Sequence, residues 1–386
     1  MNRKPLPPGA TIGLLGGGQL AQMLVHAGNA MGFRFVALDP NPECPAFYAG
    51  AEVLAAPYGD RAALAELAKR CDLVTYEFEN VEVSGVEFLE SRVLVPQGSR
   101  LLALSQHRIR EKIILQEQGF PVTPFRIVRS VAELSVAHEA LGPLMLKTVT
   151  GGYDGKGQQK ITSAAAVESG FAELSRKTRP PFIAEELVEF ERELSVVVAR
   201  NPAGEIASFP VGENVHEKNI LTLTRVPARI NPLVEAQALR LAEQVAEVLS
   251  LVGVLGLELF LLPDDTLLVN ELAPRPHNSG HYTQDACATS QFEQHLRAVA
   301  AWPLGATTLH TPVVMLNLIG EQLSGMLEQL DRLPAAAHLH LYHKHEVRAG
   351  RKLGHLNFTC DDPARLLETL NSYGIWTPSL LENALS

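Results

Sequence analysis

The sequence predicts an α/β protein of two or three domains, opened by a doubly wound parallel sheet and continued by a region of α+β character. Three observations carry this reading. The chain has 386 residues, too many for one ordinary hydrophobic core. Residues 11–38 read as strand, glycine turn, helix and strand, the unit from which parallel sheets are wound. Much later, a long apolar strand and a return strand flank the turn signal Pro263-Asp264-Asp265-Thr266, which predicts an antiparallel hairpin.

Composition narrows the class of function. With 46% hydrophobic and 20% charged residues, the chain reads as soluble and globular. A net charge of −10 argues against nucleic acid or an acidic membrane surface as the main partner, so an anionic substrate must be met by a local basic cluster. Cys44, Cys71, Cys287 and Cys360 are widely spaced, form no metal pattern and fit a reduced, cytoplasmic protein. Arg3 and Lys4 lead through prolines into a strand and not into a signal-peptide core, and no uninterrupted apolar stretch is long enough to cross a bilayer.

The first element is the apolar strand Thr11–Leu15, running into Gly16-Gly17-Gly18-Gln19. An amphipathic helix follows, with Leu20, Leu24 and Ala27 on one face. Phe33–Leu38 is the second strand, ending at Asp39. Gly16, Gly18 and Ala21 satisfy G-x-G-x-x-A, and Asp39 stands where a ribose hydroxyl contact would fall, so a dinucleotide cofactor is one reading. The other is a tight turn that presents backbone N–H groups at a helix start to any phosphate. A helix from Asp60 to Arg70 precedes a third strand, Asp72–Val81, which ends in Glu77, Glu79 and Asn80. In an open α/β sheet such strand ends line the ligand crevice, and Glu77 and Glu79 share a face if the strand runs that far. The pattern turns helical from Leu101 to Gln118, with a domain boundary near residue 104.

The middle of the chain holds the polar chemistry. Lys147 is embedded in the strand Pro143–Thr150, where an unpaired ammonium is costly. Gly151, Gly152, Gly155 and Gly157 then make a loop whose backbone can approach an anion closely, and a short strand, Gln159–Ile161, follows. The loop lacks the G-K-[ST] ending of a P-loop and reads instead as a lysine-bearing flap that closes over phosphates. Strands Pro181–Phe190 and Glu191–Ala199 come next, with Ile206–Val211 pairing to the second of them. A helix over Val234–Leu251 leads to strand Val254–Leu262 and its return, Leu267–Leu272.

A turn centred between Asp264 and Asp265 sets Glu258 directly opposite Glu271, with Cβ atoms roughly 5 Å apart. Two like charges so placed weaken the hairpin unless a cation lies between them, and carboxylate oxygens suit Mg²⁺. A proton-sharing dyad and a splayed, solvated pair are the alternatives. Strict alternation puts Asn270 on the face opposite Glu271, unless a bulge intervenes. Beyond it, Arg275, His277, Asn278, Ser279 and His281 crowd polar groups into one short segment stiffened by Pro274 and Pro276. Burying so many polar groups is costly without partners, so the segment is read as part of a ligand site.

The strand Pro312–Ile319 opens a small third domain. His338, His340, His343 and His345 invite a metal assignment, but alternation along a strand sends the first two one way and the last two the other. Lys344, Arg348, Arg351 and Lys352 form the dense basic cluster of an acidic chain and suit a substrate phosphate. A helix, Pro363–Tyr373, closes the pattern. The divisions are thus 1–104, 105–300 with a flap-bearing part at about 122–187, and 301–386.

Lys147, the flap, the Glu185–Val188 segment and the hairpin carrying Glu258, Asn270 and Glu271 together resemble the ATP-grasp ligases. The stretches Gly151–Gln158, Asn270–His281 and Glu346–Asn357 are similar in particular to the ATP-dependent 5-(carboxyamino)imidazole ribonucleotide synthetases of purine biosynthesis. The resemblance runs from Gly13 to about Asn357.

It implies an ATP-grasp fold with a parallel-sheet N-terminal domain, a glycine-rich lid and a small C-terminal domain. The implied enzyme is a dimer that uses ATP, Mg²⁺ (with Mn²⁺ tolerated) and bicarbonate to carboxylate the exocyclic amine of 5-aminoimidazole ribonucleotide, releasing ADP and phosphate. The resemblance places ATP against Arg108, Lys147, the flap residues Gly152, Tyr153, Asp154, Gly155, Lys156, Gly157 and Gln158, the hinge Glu185, Glu186, Leu187 and Val188, and Glu193, His216, Asn270 and Glu271. The metal falls to Glu258 and Glu271. Gly18, Gln19, Leu20, Glu77, Asn278, Ser279, Lys344, Arg351 and Lys352 are implied to hold the ribonucleotide. Arg275, His277, Asp154 and Tyr153 are implied to stand at the reacting atoms, and either Asp154 or His277 would take the amine proton. This chain has Ala21 and Gln22 where family members often have Gly and Arg. Outside this reading stand a ligase activating another carboxylate, a dehydrogenase built on the first βαβ unit, and a non-catalytic nucleotide-binding protein.

Overall fold

Apolar runs form strands at the N-terminus as expected, in a computed structural model that describes residues 4–152, 157–360, 363–377, 380 and 382. Strands β1 (Thr11–Leu15), β2 (Arg34–Asp39), β3 (Glu52–Ala55) and β4 (Leu73–Tyr76) make a parallel sheet in the order β3-β2-β1-β4. β1, β2 and β4 are almost wholly buried, which is why they read as continuous apolar runs. The short edge strand β3 is half exposed and escapes that signal, so the strand expected as third is the fourth. It stops at Tyr76, which leaves Glu77 and Glu79 in the following loop and not on a shared strand face.

The helix Gln19–Ala30 buries Leu20, Met23 and Leu24 against this sheet, while Ala27 is half-buried. Helix Arg61–Arg70 starts where the Asp60 carboxylate accepts from the N–H groups of Ala62 and Ala63. The helical pattern after residue 100 resolves into two helices, Ser99–Ser105 and Arg108–Glu117. The break falls at Gln106, whose side-chain amide donates to the carbonyls of Glu79 (2.7 Å) and Val81 (2.6 Å). The residue that interrupts the helix therefore fixes the loop after β4.

A small antiparallel sheet follows: β5 (Phe125–Val128), β6 (Leu144–Thr148), β7 (Gln158–Ile161) and β8 (Phe182–Glu186), in the order β5-β8-β6-β7. Helices Val131–Leu141 and Val167–Lys177 close one core with it through Leu134, Ala137, Val167 and Leu174.

The large sheet contains β9 (Arg192–Arg200), β10 (Ile206–Ser208), β11 (Gly212–Glu217), β12 (Ile220–Val226), β13 (Gly253–Leu261), β14 (Leu267–Ala273), β15 (Val313–Ile319), β16 (Ala337–Leu341) and β17 (Lys352–Thr359). Its order is β14-β13-β9-β11-β12-β15-β17-β16, with β10 paired to β9 as the sequence suggested. The hairpin β11–β12 was not legible. Its turn, Lys218-Asn219, takes positive φ at both residues without a glycine to announce it. β15 pairs antiparallel with β12, so the C-terminal strands extend the middle sheet and do not start a separate one. Helix Pro232–Val248, capped by Asn231, packs Val234, Ala238, Leu241 and Val245 on the β9–β13 face.

The hairpin register is decisive for the site. Leu261 pairs with Leu267, Phe260 with Leu268 and Leu259 with Val269; Glu258 then pairs with Glu271. The turn is centred on Asp264, one half-step from the expected position, and a bulge at Asn270 restores the expected carboxylate pairing.

Candidate active site

Between the first domain, the two-sheet middle and β17 lies a cavity of 690 Å³. Of the residues implicated by the sequence, Gln19, Leu20, Glu77, Arg108, Lys147, Gly152, Gln158, Glu185, Glu186, Leu187, Val188, Glu193, His216, Glu258, Asn270, Glu271, Arg275, His277, Asn278 and Lys352 line it. Gly18, Gly157, Ser279, Lys344 and Arg351 do not line it. Tyr153, Asp154, Gly155 and Lys156 lie outside the described residues. The cavity also has an apolar wall that sequence reasoning passed over as core: Met145, Leu221, and Phe190 stacked on Phe260 at 4.7 Å between ring centroids.

One end is cationic. Lys147 projects from β6 and donates to the Glu185 carboxylate on β8, and the buried Lys112 ammonium lies 3.7 Å from the other Glu185 oxygen. Burial alone would raise the Glu185 pKa, but the charges of Lys147 and Lys112 outweigh it and hold the group below its ordinary value. The Arg108 guanidinium donates to the carbonyls of Thr148 (3.2 Å) and Gly152 (2.7 Å), pinning the root of the flap. Glu193 and His216, from the neighbouring strands β9 and β11, form an ion pair; burial works against the imidazolium, but Glu193 raises its pKa.

At the other end of that wall the carboxylates meet. Glu258 Oε2 accepts from Asn270 Nδ2 at 3.3 Å, and Glu258 Oε1 stands 3.3 Å from His277 Nε2. The bulge thus turns the Asn270 side chain to the same side as the carboxylates, which corrects strict alternation. Burial opposes ionisation at both acids, yet the two diverge. His277 holds Glu258 below its ordinary pKa, while burial and the Glu258 charge push Glu271 up. Glu111, buried on the helix behind and not singled out by sequence reasoning, is pushed well up by burial and by Glu271. Two facing carboxylates and an amide are an all-oxygen donor set that fits Mg²⁺. Among the described residues no cluster of three or more His, Cys, Asp or Glu forms a complete cage, so water or phosphate oxygens would fill the remaining positions.

Arg275 lies across the cavity in a bidentate pair with Glu79, through Nε and through Nη2 at 2.9 Å. Burial would raise the Glu79 pKa, but Arg275 brings it down to about 2. Arg275 Nη1 donates to the Pro276 carbonyl at 3.1 Å, so three of its five N–H groups are committed. His277 is held from several directions. Its Nδ1 lies 2.8 Å from Ser279 Oγ, its N–H donates to Gln291 Oε1 at 2.8 Å, and its carbonyl accepts from Gln291 Nε2 at 2.7 Å. Ser279 therefore touches the imidazole, not the cavity. The Asn278 side chain lines the cavity with both amide atoms buried and without a hydrogen-bond partner, the state of a group prepared for a ligand.

The N-terminal glycine turn is used internally. Glu77 accepts from the N–H groups of Gly18 (2.8 Å) and Ala21 (3.2 Å), and Asp39 accepts from Gly17 N–H (2.9 Å) and Tyr58 O–H (2.8 Å). A carboxylate of the protein occupies the helix N-terminus, and the acid expected at a ribose is consumed by the turn itself. Both halves of the dinucleotide fingerprint are thereby accounted for without a dinucleotide.

The basic cluster divides as well. Lys352 reaches the cavity; Lys344 donates to the Lys352 carbonyl at 2.9 Å, and Arg351 binds Glu346 at 3.0 Å. His340 and His338 face Asp285, whereas His343 stacks on Tyr48 and His345 reaches Glu43, so the four imidazoles do not converge. Gln22, standing where the family resemblance often has Arg, donates to the Leu341 carbonyl at 3.0 Å and ties the first helix to the C-terminal strands.

Comparison with known proteins accords with this geometry. Family models match as a ribonucleotide synthetase preATP-grasp domain over residues 9–106, an ATP-grasp domain over 113–292 and a phosphoribosylaminoimidazole carboxylase C-terminal domain over 313–369. The chain is 45% identical to the N5-carboxyaminoimidazole ribonucleotide synthase of Bacillus subtilis over 93% of each chain. It is 46% identical to that of Brucella melitensis over 92% of this chain and 98% of the relative. A solved ADP complex of N5-carboxyaminoimidazole ribonucleotide synthetase superposes with a TM-score of 0.93 at 44% identity, covering 97% of this chain and 99% of the other. The Aspergillus clavatus synthase, solved with ADP and 5-aminoimidazole ribonucleotide, superposes with a TM-score of 0.88 at 31% identity over 97% and 99% of the chains. With its parallel-sheet first domain, its paired carboxylates in one cavity with Lys147 and these relatives, the chain belongs to the N5-carboxyaminoimidazole ribonucleotide synthase family of ATP-grasp ligases.

Proposed function

We propose that the protein carboxylates the exocyclic amine of 5-aminoimidazole ribonucleotide with ATP and bicarbonate, giving 5-(carboxyamino)imidazole ribonucleotide, ADP and phosphate. The observation that carries this is the single cleft in which facing carboxylates (Glu258, Glu271) and a phosphate-type lysine (Lys147) adjoin Arg275, His277 and the unpartnered Asn278. ATP activation and an acceptor site would thus share one cavity.

Each group has a task set by its surroundings. The apolar wall of Met145, Phe190 and Phe260 suits a base, with hinge residues Glu186–Val188 beside it. Lys147, Arg108 and the flap would meet the phosphates, while Glu193 and His216 suit the ribose. Mg²⁺ held by Glu258 and Glu271 would supply charge neutralisation at the transferring phosphoryl group. A bicarbonate oxygen attacks the γ-phosphorus and ADP leaves; the resulting carboxyphosphate breaks down to CO₂ and phosphate. The substrate amine then adds to CO₂ and gives up a proton.

Arg275 retains two N–H groups for carboxylate or phosphate oxygens, and Glu79 fixes the plane in which they point. His277, with Nδ1 on Ser279, is placed to take the amine proton or to steer CO₂; Asp154 is the other candidate for the proton. Glu77 and Lys352 both line the cavity and suit the ribonucleotide. Homodimerisation and a cytoplasmic location belong to the same reading; no helix among the described residues is long and apolar enough to cross a membrane.

The test is to follow ADP release with ATP, Mg²⁺, bicarbonate and 5-aminoimidazole ribonucleotide. Release that requires both bicarbonate and the ribonucleotide is expected. ADP formation indifferent to the ribonucleotide would remove it as the substrate.

A further inference from the structure

Lys112 is among the largest fully buried side chains, 2% exposed, and does not line the main cavity. It sits on the inner face of helix Arg108–Glu117 and makes two polar contacts that join separate parts of the site. Its Nζ donates to the Val269 carbonyl at 3.0 Å, one residue before the bulge that carries Asn270 and Glu271. It also lies 3.7 Å from Glu185 Oε1, while Lys147 holds Glu185 Oε2. One buried carboxylate is thus shared by two ammonium groups. Lys147 is the more exposed of them, at 18% against 2% for Lys112.

A buried carboxylate stripped of its only cation is strongly disfavoured. If Glu185 had Lys147 alone, Lys147 could not turn to a phosphate without leaving that carboxylate uncompensated. With Lys112 fixed behind it, Glu185 stays neutralised and Lys147 carries the surplus positive charge into the cavity. We propose that Lys112 is a positioning residue for nucleotide binding: the stationary counter-ion of Glu185 that frees Lys147 for a nucleotide phosphate. This rests on the reading of Lys147 as a phosphate ligand.

The test is calorimetric binding of ADP with Mg²⁺ to the full-length protein and its variants, with KM for ATP and kcat measured alongside. Lys112→Met weakens ADP binding by about tenfold or more and raises KM for ATP more than it lowers kcat. Adding Glu185→Gln to that variant removes the carboxylate that traps Lys147, so Lys112→Met/Glu185→Gln binds ADP within about threefold of Glu185→Gln alone. Undiminished affinity in Lys112→Met overturns the inference, as does a tenfold loss on adding Lys112→Met to Glu185→Gln. The second comparison holds even if the single lysine variant fails to fold. Lys147→Met separates the two readings. If it leaves ADP affinity unchanged, the phosphate role of Lys147 falls and this inference with it. If it weakens ADP while Lys112→Met does not, only the role of Lys112 is lost.

Discussion

Glu258 and Glu271 face each other across β13 and β14 because Asn270 is an extra residue in the return strand. Without the bulge, the register that runs from Leu261–Leu267 to Leu259–Val269 would set Glu258 opposite Asn270 and turn Glu271 to the other face. The bulge places two oxygen-bearing side chains opposite one, and Asn270 bonds Glu258 as a result. The carboxylate pair is therefore encoded in backbone register as much as in residue identity.

Deleting Asn270 should be no more harmful to the carboxylate pair than replacing it. Asn270→Ala keeps the bulge and is expected to lower activity modestly. The deletion joins Val269 to Glu271, so the ladder continues from Leu259–Val269 straight to Glu258–Glu271 and both acids stay on the cavity face; ADP release and calorimetric Mg²⁺ binding should fall no further than in Asn270→Ala. A deletion variant that loses Mg²⁺ binding while Asn270→Ala keeps it would show that the bulge itself, and not only the facing of the two acids, shapes the site.

Glu79 is expected to act through Arg275. Glu79→Gln retains one hydrogen bond at most and loses the charge that holds the guanidinium, so the rate of carboxylation should fall by about tenfold to a hundredfold, as for loss of a positioning contact. KM for ATP should change little, because Arg275 is held by Glu79 while Lys147 is held by Glu185. A rise in KM for ATP alone would place Arg275 on the nucleotide instead.

The same pair sets a pH dependence of stability. Arg275 lowers the Glu79 pKa from 4.5 to about 2, so the folded state stabilises the ionised acid. The contribution is complete above pH 4.5 and is lost as the pH falls toward 2; for a group this little exposed it amounts to about 3 kcal/mol at most. Urea unfolding of the wild type and of Glu79→Gln, compared from pH 7 down to pH 3.5, should show the gap between them narrowing below pH 4.5. A gap that stays constant over that range would mean that Glu79 does not titrate there.

Much of this was legible in the sequence where the determinants are local. The apolar runs of β1, β2, β4 and β13 all declare themselves within a few residues. The facing of Glu258 and Glu271 was legible too, though by a turn position half a step off that the bulge compensates. What stayed hidden depends on distant or weakly patterned partners. The Glu79–Arg275 pair spans 196 residues, and Lys112 and Glu111 look like an ordinary solvated turn of helix until the hairpin packs on them. β3 is a half-exposed edge, and β11–β12 turns through Lys218-Asn219 without glycine. The glycine motif leaves a dinucleotide reading open in the sequence for a physical reason: its amides have a carboxylate partner, Glu77, that lies 59 residues away.

That relationship gives the sharpest steric prediction. A Cβ on Gly18 would lie 2.6 Å from Glu77 Oε1, and one on Gly16, whose φ is +105°, would lie 2.6 Å from Glu77 Cγ. Gly18 itself has an extended backbone that any residue can adopt, so Gly18→Ala tests the contact and not the dihedral. The methyl should push the carboxylate off the helix N-terminus, costing about 1–3 kcal/mol of stability and shifting Glu77 within the cavity. Turnover should fall with a raised KM for the ribonucleotide, while ADP affinity measured by calorimetry stays near that of the wild type. An unchanged KM for the ribonucleotide alongside lowered stability would confine Glu77 to capping the helix and exclude it from substrate binding.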